Sequence, residues 1–174
     1  MGLQITFDLS EEDLKHFRLI MAEAQAATAR LGQREIIAAA QALLNDIRKA
    51  NVPGFIEVRL ERLGKLISMV TDREWKLPDD EVTRVVNALA YFSDPEDLIH
   101  DEIPGLGFLD DAIMIELATR ELSHELDAYD DFCRFREENA PPDGGEVTRE
   151  HWLKSRRDEL QSRMRERRSP LSLF

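Results

Sequence analysis

Apolar residues recur at intervals of three and four through most of this 174-residue chain, and this spacing restricts its fold more than any other feature. An α-helix turns once in 3.6 residues, so the spacing places the apolar side chains on one helical face. Successive stripes run from Leu14 to Leu31, from Ile36 to Ile47, from Phe55 to Val70 and from Val82 to Phe92. Strand-like alternation is confined to residues 5–9. The sequence therefore predicts an all-α bundle of about five to six helices.

Capping and helix-breaking residues predict where these helices begin and end. Ser10 is a suitable N-cap, with Leu9 and Leu14 at the two positions of a hydrophobic staple. Further breaks are predicted at Gly32, at Pro53 and Gly54, and before Pro78. A long helix is expected from Phe108 to about Glu138, and Thr148 is a candidate cap for a last helix.

The stretch from residue 93 to residue 107 contains two prolines and two glycines, so it cannot form a continuous helix. It predicts a helix-loop-helix elbow in which Pro104, Gly105 and Gly107 shape the turn. The chain is long enough for one domain. We expect a helical domain over 1–139, a linker over 140–147 containing Pro-Pro-Asp-Gly-Gly, and a basic helix with an apolar tail over 148–174.

Charge divides the chain into an acidic body and a basic arm. Residues 149–168 contain eight Lys or Arg and four Asp or Glu, so this stretch is +4 while the net charge of the chain is −12. Residues 94–143 hold sixteen acids and three bases. An acidic body repels nucleic acid and anionic lipid, so any such binding would have to use the arm.

Cysteine usage and hydropathy predict a cytoplasmic location. Cys133 is the only cysteine, so no disulfide can form within one chain. We find neither a leader-like apolar segment nor an apolar run of membrane-spanning length, so no transmembrane segment is expected.

The segment 88–112 carries a specific pattern of acids, prolines and glycine. It places the following residues at characteristic positions: Asp97, Leu98, Ile99, Asp101, Pro104, Gly107, Asp110 and Asp111. This pattern resembles the YkvA-like family, a mainly bacterial domain of unknown function. His100 departs from the pattern, because the family normally has proline there. The resemblance covers about 40 residues and implies a helical fold, with a YkvA-like core at about 78–138 inside the helical domain. It implies no established activity.

The acids of this segment have a structural interpretation and a chemical one. In the structural interpretation, Asp97 and Asp101 accept backbone hydrogen bonds in a turn, while Asp110 and Asp111 stabilise the first turn of a helix. In the chemical alternative, the same four aspartates, with His100 and Glu102 as weaker candidates, bind Mg²⁺ or Ca²⁺. Hydrolysis at such a metal would also need an open coordination position and a base. We favour the structural interpretation, without a cofactor or a catalytic residue.

The basic arm is the second candidate site. Its members are Trp152, Lys154, Arg156, Arg157, Arg163, Arg165, Arg167 and Arg168. Opposite charge favours docking on the acidic body of the same chain or of a second copy. One alternative is nucleic-acid binding, which we consider unfavourable. The other is binding to a membrane surface or to a partner groove. The leading hypothesis is a non-enzymatic interaction or regulatory protein whose partner is a protein, including a second copy in a homo-oligomer.

Overall fold

The computed structural model describes residues 6, 8–50, 52–93 and 109–168. Within these residues the chain forms seven α-helices and one short 3₁₀ helix, and no β-strand. The helices are α1 (Glu11–Ala27), α2 (Gln33–Lys49), α3 (Gly54–Thr71), α4 (Asp79–Leu89), the 3₁₀ helix (Ala90–Ser93), α5 (Leu109–Glu121), α6 (Ser123–Glu138) and α7 (Arg149–Arg168). The all-α prediction is confirmed.

The start of α1 follows the sequence signal. Ser10 Oγ accepts a hydrogen bond of 3.2 Å from the Asp13 backbone N–H, and the Ser10 N–H donates to Asp13 Oδ2 at 2.8 Å. This reciprocal pair is a capping box, which satisfies backbone groups that a helix end leaves unpaired. The predicted helix start at Ser10 is confirmed.

The core is organised around α3, which contacts α2, α4, α5 and α6. Helices α2 and α4 each bury one stripe, whereas α3 buries side chains over a broader part of its circumference. Fully buried aliphatic side chains include Leu44, Ile47, Leu63, Leu66, Met69, Val85, Leu89, Met114 and Ile115. A helix surrounded by neighbours needs such a wide apolar surface, because every buried side favours apolar contact.

The predicted long helix from Phe108 to Glu138 is interrupted, and this raises the helix count above the expected five to six. Leu122, between α5 and α6, has φ −106° and ψ 20°, outside the α-helical region. Its backbone N–H still bonds to Ala118 O at 3.1 Å, and its carbonyl accepts from Leu126 N–H at 2.9 Å. The chain therefore bends without losing its hydrogen bonds, and no proline or glycine marks the break in the sequence.

A turn between α6 and α7 returns the chain to the body. Gly144 has φ 77°, a left-handed conformation that glycine adopts without the steric cost of a side chain. Its N–H donates to Pro141 O at 3.1 Å. The predicted linker over 140–147 coincides with this turn, while the division of the chain into a domain and an appendage stays a prediction. Among the described helices, none combines the length and the apolar character needed to cross a membrane.

Candidate functional site

An aromatic cluster joins α7 to the body of the protein. The ring of Trp75, in the loop between α3 and α4, lies 5.6 Å from the Tyr129 ring, 5.0 Å from the Phe132 ring and 5.2 Å from the Trp152 ring, centroid to centroid. Tyr129 and Phe132 belong to α6, and Trp152 belongs to α7. All four side chains are buried. Because large aromatic side chains remove much apolar surface from water, this cluster anchors α7 against two other parts of the chain.

The loop that carries Trp75 is shaped by Asp72. Asp72 Oδ1 accepts hydrogen bonds from the backbone N–H groups of Glu74, at 3.0 Å, and Trp75, at 3.2 Å. Lys76 follows with φ 46°, a left-handed conformation that costs energy for a residue with a side chain. The Lys76 N–H donates to Asp72 O at 3.0 Å. Hydrogen bonds to Asp72 therefore fix the backbone from Glu74 to Lys76, with Trp75 between them.

Asp72 also links this loop to α6. Its Oδ2 accepts hydrogen bonds from the Tyr129 hydroxyl and from Arg136 Nη1, each at 2.8 Å. Burial alone would raise the pKa of Asp72, but these hydrogen bonds outweigh burial and hold the pKa below its usual value. Burial, together with the bond to Asp72, raises the pKa of Tyr129. Asp72 is therefore an anionic acceptor that fixes the aromatic cluster from one side.

Asp131 fixes α7 from the other side. Its Oδ2 accepts from the Trp152 indole N–H at 2.8 Å and from Arg156 Nε at 2.6 Å, and its Oδ1 accepts from Arg156 Nη2 at 2.7 Å. The Arg156 guanidinium therefore makes a two-pronged contact with the carboxylate, the strongest common form of ion pair in proteins. The hydrogen bond from Arg156, followed by that from Trp152, lowers the pKa of Asp131 against the opposing effect of burial. We call this arrangement the Asp131 clasp.

Backbone contacts extend the anchor to the start of α7. Glu74 accepts the Val147 N–H on its side chain at 2.9 Å and the Arg149 N–H on its carbonyl oxygen at 3.0 Å. The Arg149 guanidinium lies over the Trp75 ring, 4.7 Å from its centroid, and its Nη2 is 3.7 Å from Glu81. A cation over an indole face is attracted by the negative ring face. The chain is thus held to the body from Val147 to Arg156. We call residues 147–156, which include the first residues of α7, the anchored half.

The rest of α7 makes no such contact. Every side chain from residue 157 to residue 166 is exposed. Leu160 is 58% exposed and Met164 46%, and with Leu153 at 43% they form one stripe, because spacings of seven and eleven residues return to the same helical face. Arg157 and Arg165 form no ion pair with a described residue, and Arg163 pairs only with Glu159 of its own helix, at 2.9 Å. We call residues 157–168 the exposed half.

The structure separates the residues that the sequence grouped as a partner-binding arm. Trp152 and Arg156 contact the body of their own chain. The others with described side chains are exposed, namely Lys154, Arg157, Arg163 and Arg165. The side chains of Arg167 and Arg168 are outside the described part.

Most candidate residues of the predicted helix-loop-helix elbow lie outside the described residues. This applies to Asp97, His100, Asp101, Glu102, Pro104, Gly105 and Gly107. Asp110 and Asp111 are in the first turn of α5, as predicted; Asp111 is 4% exposed, and the side chain of Asp110 is not described. Over the described ranges, no three His, Cys, Asp or Glu side chains converge in a way that could hold a metal ion. The metal site and the turn-closing role of the aspartates both stay predictions.

Several residues of the anchor were not identified from the sequence. Asp72, Trp75 and Arg136 were assigned no role, and Asp131 was counted only as one of the sixteen acids of residues 94–143. One signal was present, since Trp75 and Trp152 are the only two tryptophans of the chain. Large aromatic side chains are seldom left in water. The two tryptophans could therefore have been predicted to pack against each other.

Comparison with known proteins identifies one segment. Residues 82–117 match the model of the family described as "Protein of unknown function (DUF1232)". This match confirms the resemblance to YkvA-like domains, and it runs from α4 into α5. Searches of curated proteins and of solved structures found no match to the chain. Trp75, the Asp131 clasp and α7 all lie outside the matched segment.

Proposed function

We propose that this protein is a cytoplasmic, non-enzymatic interaction module whose helical body holds α7 so that its exposed half can bind another protein. One observation carries the proposal. A single helix is fixed through Trp152 and Arg156 at one end, and it presents Leu160 and Met164 beside arginines at the other end.

Anchoring gives the exposed half a conformation suited to binding. Residues 157–168 alone would be marginally helical, because isolated helices shorter than about 12–15 residues rarely persist in water. The anchored half supplies the helical nucleus from which these residues continue. A partner therefore meets a helix that is already formed, and this lowers the entropy cost of binding.

The chemistry of the exposed half indicates the class of partner. A row of leucine and methionine flanked by arginines matches a protein surface that is apolar in the middle and acidic at its rim. Phosphate groups would also attract the arginines, but Asp158, Glu159 and Glu166 are interspersed among them and weaken such a field. We therefore propose a protein partner rather than a nucleic acid or a membrane.

Photo-crosslinking tests this function. A benzophenone amino acid would replace Leu160 in one version of the full chain and Val58 in another, two exposed apolar positions at 58% and 52%. Val58 is on α3, so it serves as the matched control. We expect protein adducts from position 160 only, and their yield should fall when Arg157 and Arg165 are changed to Glu.

Two outcomes would contradict the proposal. Equal protein yields from both positions would show that crosslinking at 160 reflects exposure alone. Adducts at 160 that contain only nucleic acid or lipid would assign the arm to one of those ligands instead.

A further inference from the structure

A groove between α1 and α5 offers a receptor for an amphipathic helix. Its apolar lining is formed by Phe17 and Met21 of α1 and by Met114 and Leu117 of α5. Its volume is about 270 Å³, and Arg18 and Glu121 also line it. Phe17, Met21 and Leu117 are only partly buried although they pack against the core. This part of α1 therefore keeps apolar surface that the rest of the described chain does not cover.

We propose that the partner of the exposed half of α7 is a second copy of this chain, and that Leu160 and Met164 of one copy lie in the α1–α5 groove of the other. This inference rests on the proposed function, because it names the partner for the same helix face. The exposed half cannot fill its own groove in the observed conformation, since Leu160 and Met164 are both exposed.

Shape and side-chain chemistry support this occupant. Leu160 and Met164 are four residues apart, so they stand one above the other on the helix and can enter a groove together. Helix-in-groove recognition uses anchors at this spacing. The groove contains Met21 and Met114, and unbranched methionine side chains adapt their shape to an incoming apolar group. Burial of the two anchors supplies the attraction, while neither copy needs to unfold any element.

Charge complementarity favours a second copy over an unrelated neutral surface. The two helices that form the groove, α1 and α5, together carry eight acids and three bases, whereas residues 149–168 have a net charge of +4. Arg157 flanks the Leu160 and Met164 stripe, and exposed Glu121 lines the groove. Pairing of these two side chains across the interface would orient the helix as the apolar contacts form.

Each copy has one exposed half and one groove, so two reciprocal contacts can close a dimer with twofold symmetry. A closed dimer forms the same contact twice and leaves neither surface open. One-way binding would instead leave a free groove at one end and a free helix at the other, and it would continue into open chains.

Sedimentation velocity of the full chain over a concentration series tests the proposal. We expect a monomer–dimer equilibrium that Leu160→Glu weakens at least tenfold, because a carboxylate would enter an apolar groove. Ala22→Arg should weaken it similarly, since exposed Ala22 lines the groove and the new side chain would fill it. Leu19→Arg is the matched control, because Leu19 is 56% exposed on the same helix and does not line the groove.

A charge exchange tests the orientation of the helix. Arg157→Glu alone and Glu121→Arg alone should each weaken dimerisation, because both contacts of each variant then place like charges together. A mixture of the two single variants should recover dimerisation, because both contacts of the mixed dimer pair opposite charges. The chain that carries both changes should recover dimerisation as well, because its two contacts also pair opposite charges. The assignment of the helix to the groove would be overturned if Ala22→Arg left dimerisation unchanged. It would also be overturned if the single charge variants showed no loss of dimerisation.

Failure of this inference can be distinguished from failure of the proposed function. A chain that stays monomeric at every concentration, while position 160 still crosslinks to a different acidic protein, overturns the second-copy inference and leaves the interaction function standing. A monomeric chain without protein adducts at position 160 overturns both.

Discussion

The two halves of α7 both carry basic residues, but they have opposite relations to the body. The anchored half ends at Arg156, where Asp131 accepts hydrogen bonds from both Trp152 and Arg156. From residue 157 to residue 166 every side chain is exposed. The difference shows that basic charge alone does not dock a helix. Docking needs a large apolar side chain and an arginine that meet an aromatic cluster and a carboxylate at one place.

This contrast implies that stability and partner binding are separable within one helix. Side chains of the anchored half should contribute to the free energy of unfolding, because folding removes them from water. Side chains of the exposed half should contribute little to unfolding and mainly to association.

The largest effect is expected for Trp152→Ala. This change removes a buried ring that packs on Trp75 and Phe132, and it should lower the free energy of unfolding by about 3–4 kcal/mol. Urea unfolding followed by far-UV circular dichroism measures this loss. Leu160→Ala is the control in the exposed half and should change the free energy of unfolding by no more than about 0.5 kcal/mol. Equal losses for the two variants would contradict the contrast between the halves.

A smaller loss is expected for Asp131→Ala. It removes the acceptor of both the Trp152 indole and the Arg156 guanidinium, but the aromatic contacts remain. We expect a loss of about 1–2 kcal/mol, since the ion pair is only partly shielded from water. Asp127→Ala, at an exposed position of the same helix, should be nearly neutral when measured by the same denaturation. If the two variants behaved alike, the clasp would carry no stability.

Acid should loosen the anchored half before it affects helices without such carboxylates. The pKa of Asp131 and that of Asp72 are lowered in the folded chain, so their stabilisation is fully present above the ordinary carboxyl pKa of about 4 and is lost as pH falls through the lowered values. Unfolding free energies measured from neutral pH down to acid should therefore decrease below about pH 4. In Asp131→Asn the decrease should be shallower, and an unchanged slope would show that Asp131 does not contribute.

Added salt should change stability less than any of the changes above. It should weaken association between copies more clearly. Exposed arginines such as Arg157 and Arg165 are screened by added salt, whereas the aromatic part of the anchor is not. We expect dimerisation to weaken at high salt while the melting temperature of the monomer moves little. Association that strengthens with salt would indicate an interface without a charge contribution.

The sequence predicted the parts of the fold that local patterns determine. The N-cap at Ser10 and the stripe of α2 each depend on neighbouring residues, and both appear in the structure. The bend at Leu122 was not predicted, because the segment keeps its backbone hydrogen bonds and contains no proline or glycine. The stripe periodicity alone cannot distinguish a bent helix from a straight one.

The candidate site was only partly predictable, because it depends on residues that are distant in sequence. The charge split predicted that the arm would meet acids, but it could not select Asp131 from the sixteen acids of residues 94–143. Trp75 lies 77 positions before Trp152 in the chain, and only the folded structure shows that their rings are 5.2 Å apart. Local rules contain no information on such a pairing.

The most direct measurement compares two shortened chains by urea denaturation. A chain that ends at Leu160 keeps the anchor, so its free energy of unfolding should stay within about 0.5 kcal/mol of the full chain. A chain that ends at Glu146 loses Trp152 and Arg156 together, and it should be less stable by at least about 3 kcal/mol. If both chains lost the same stability, or if neither lost any, α7 would not be divided into an anchored and an exposed half.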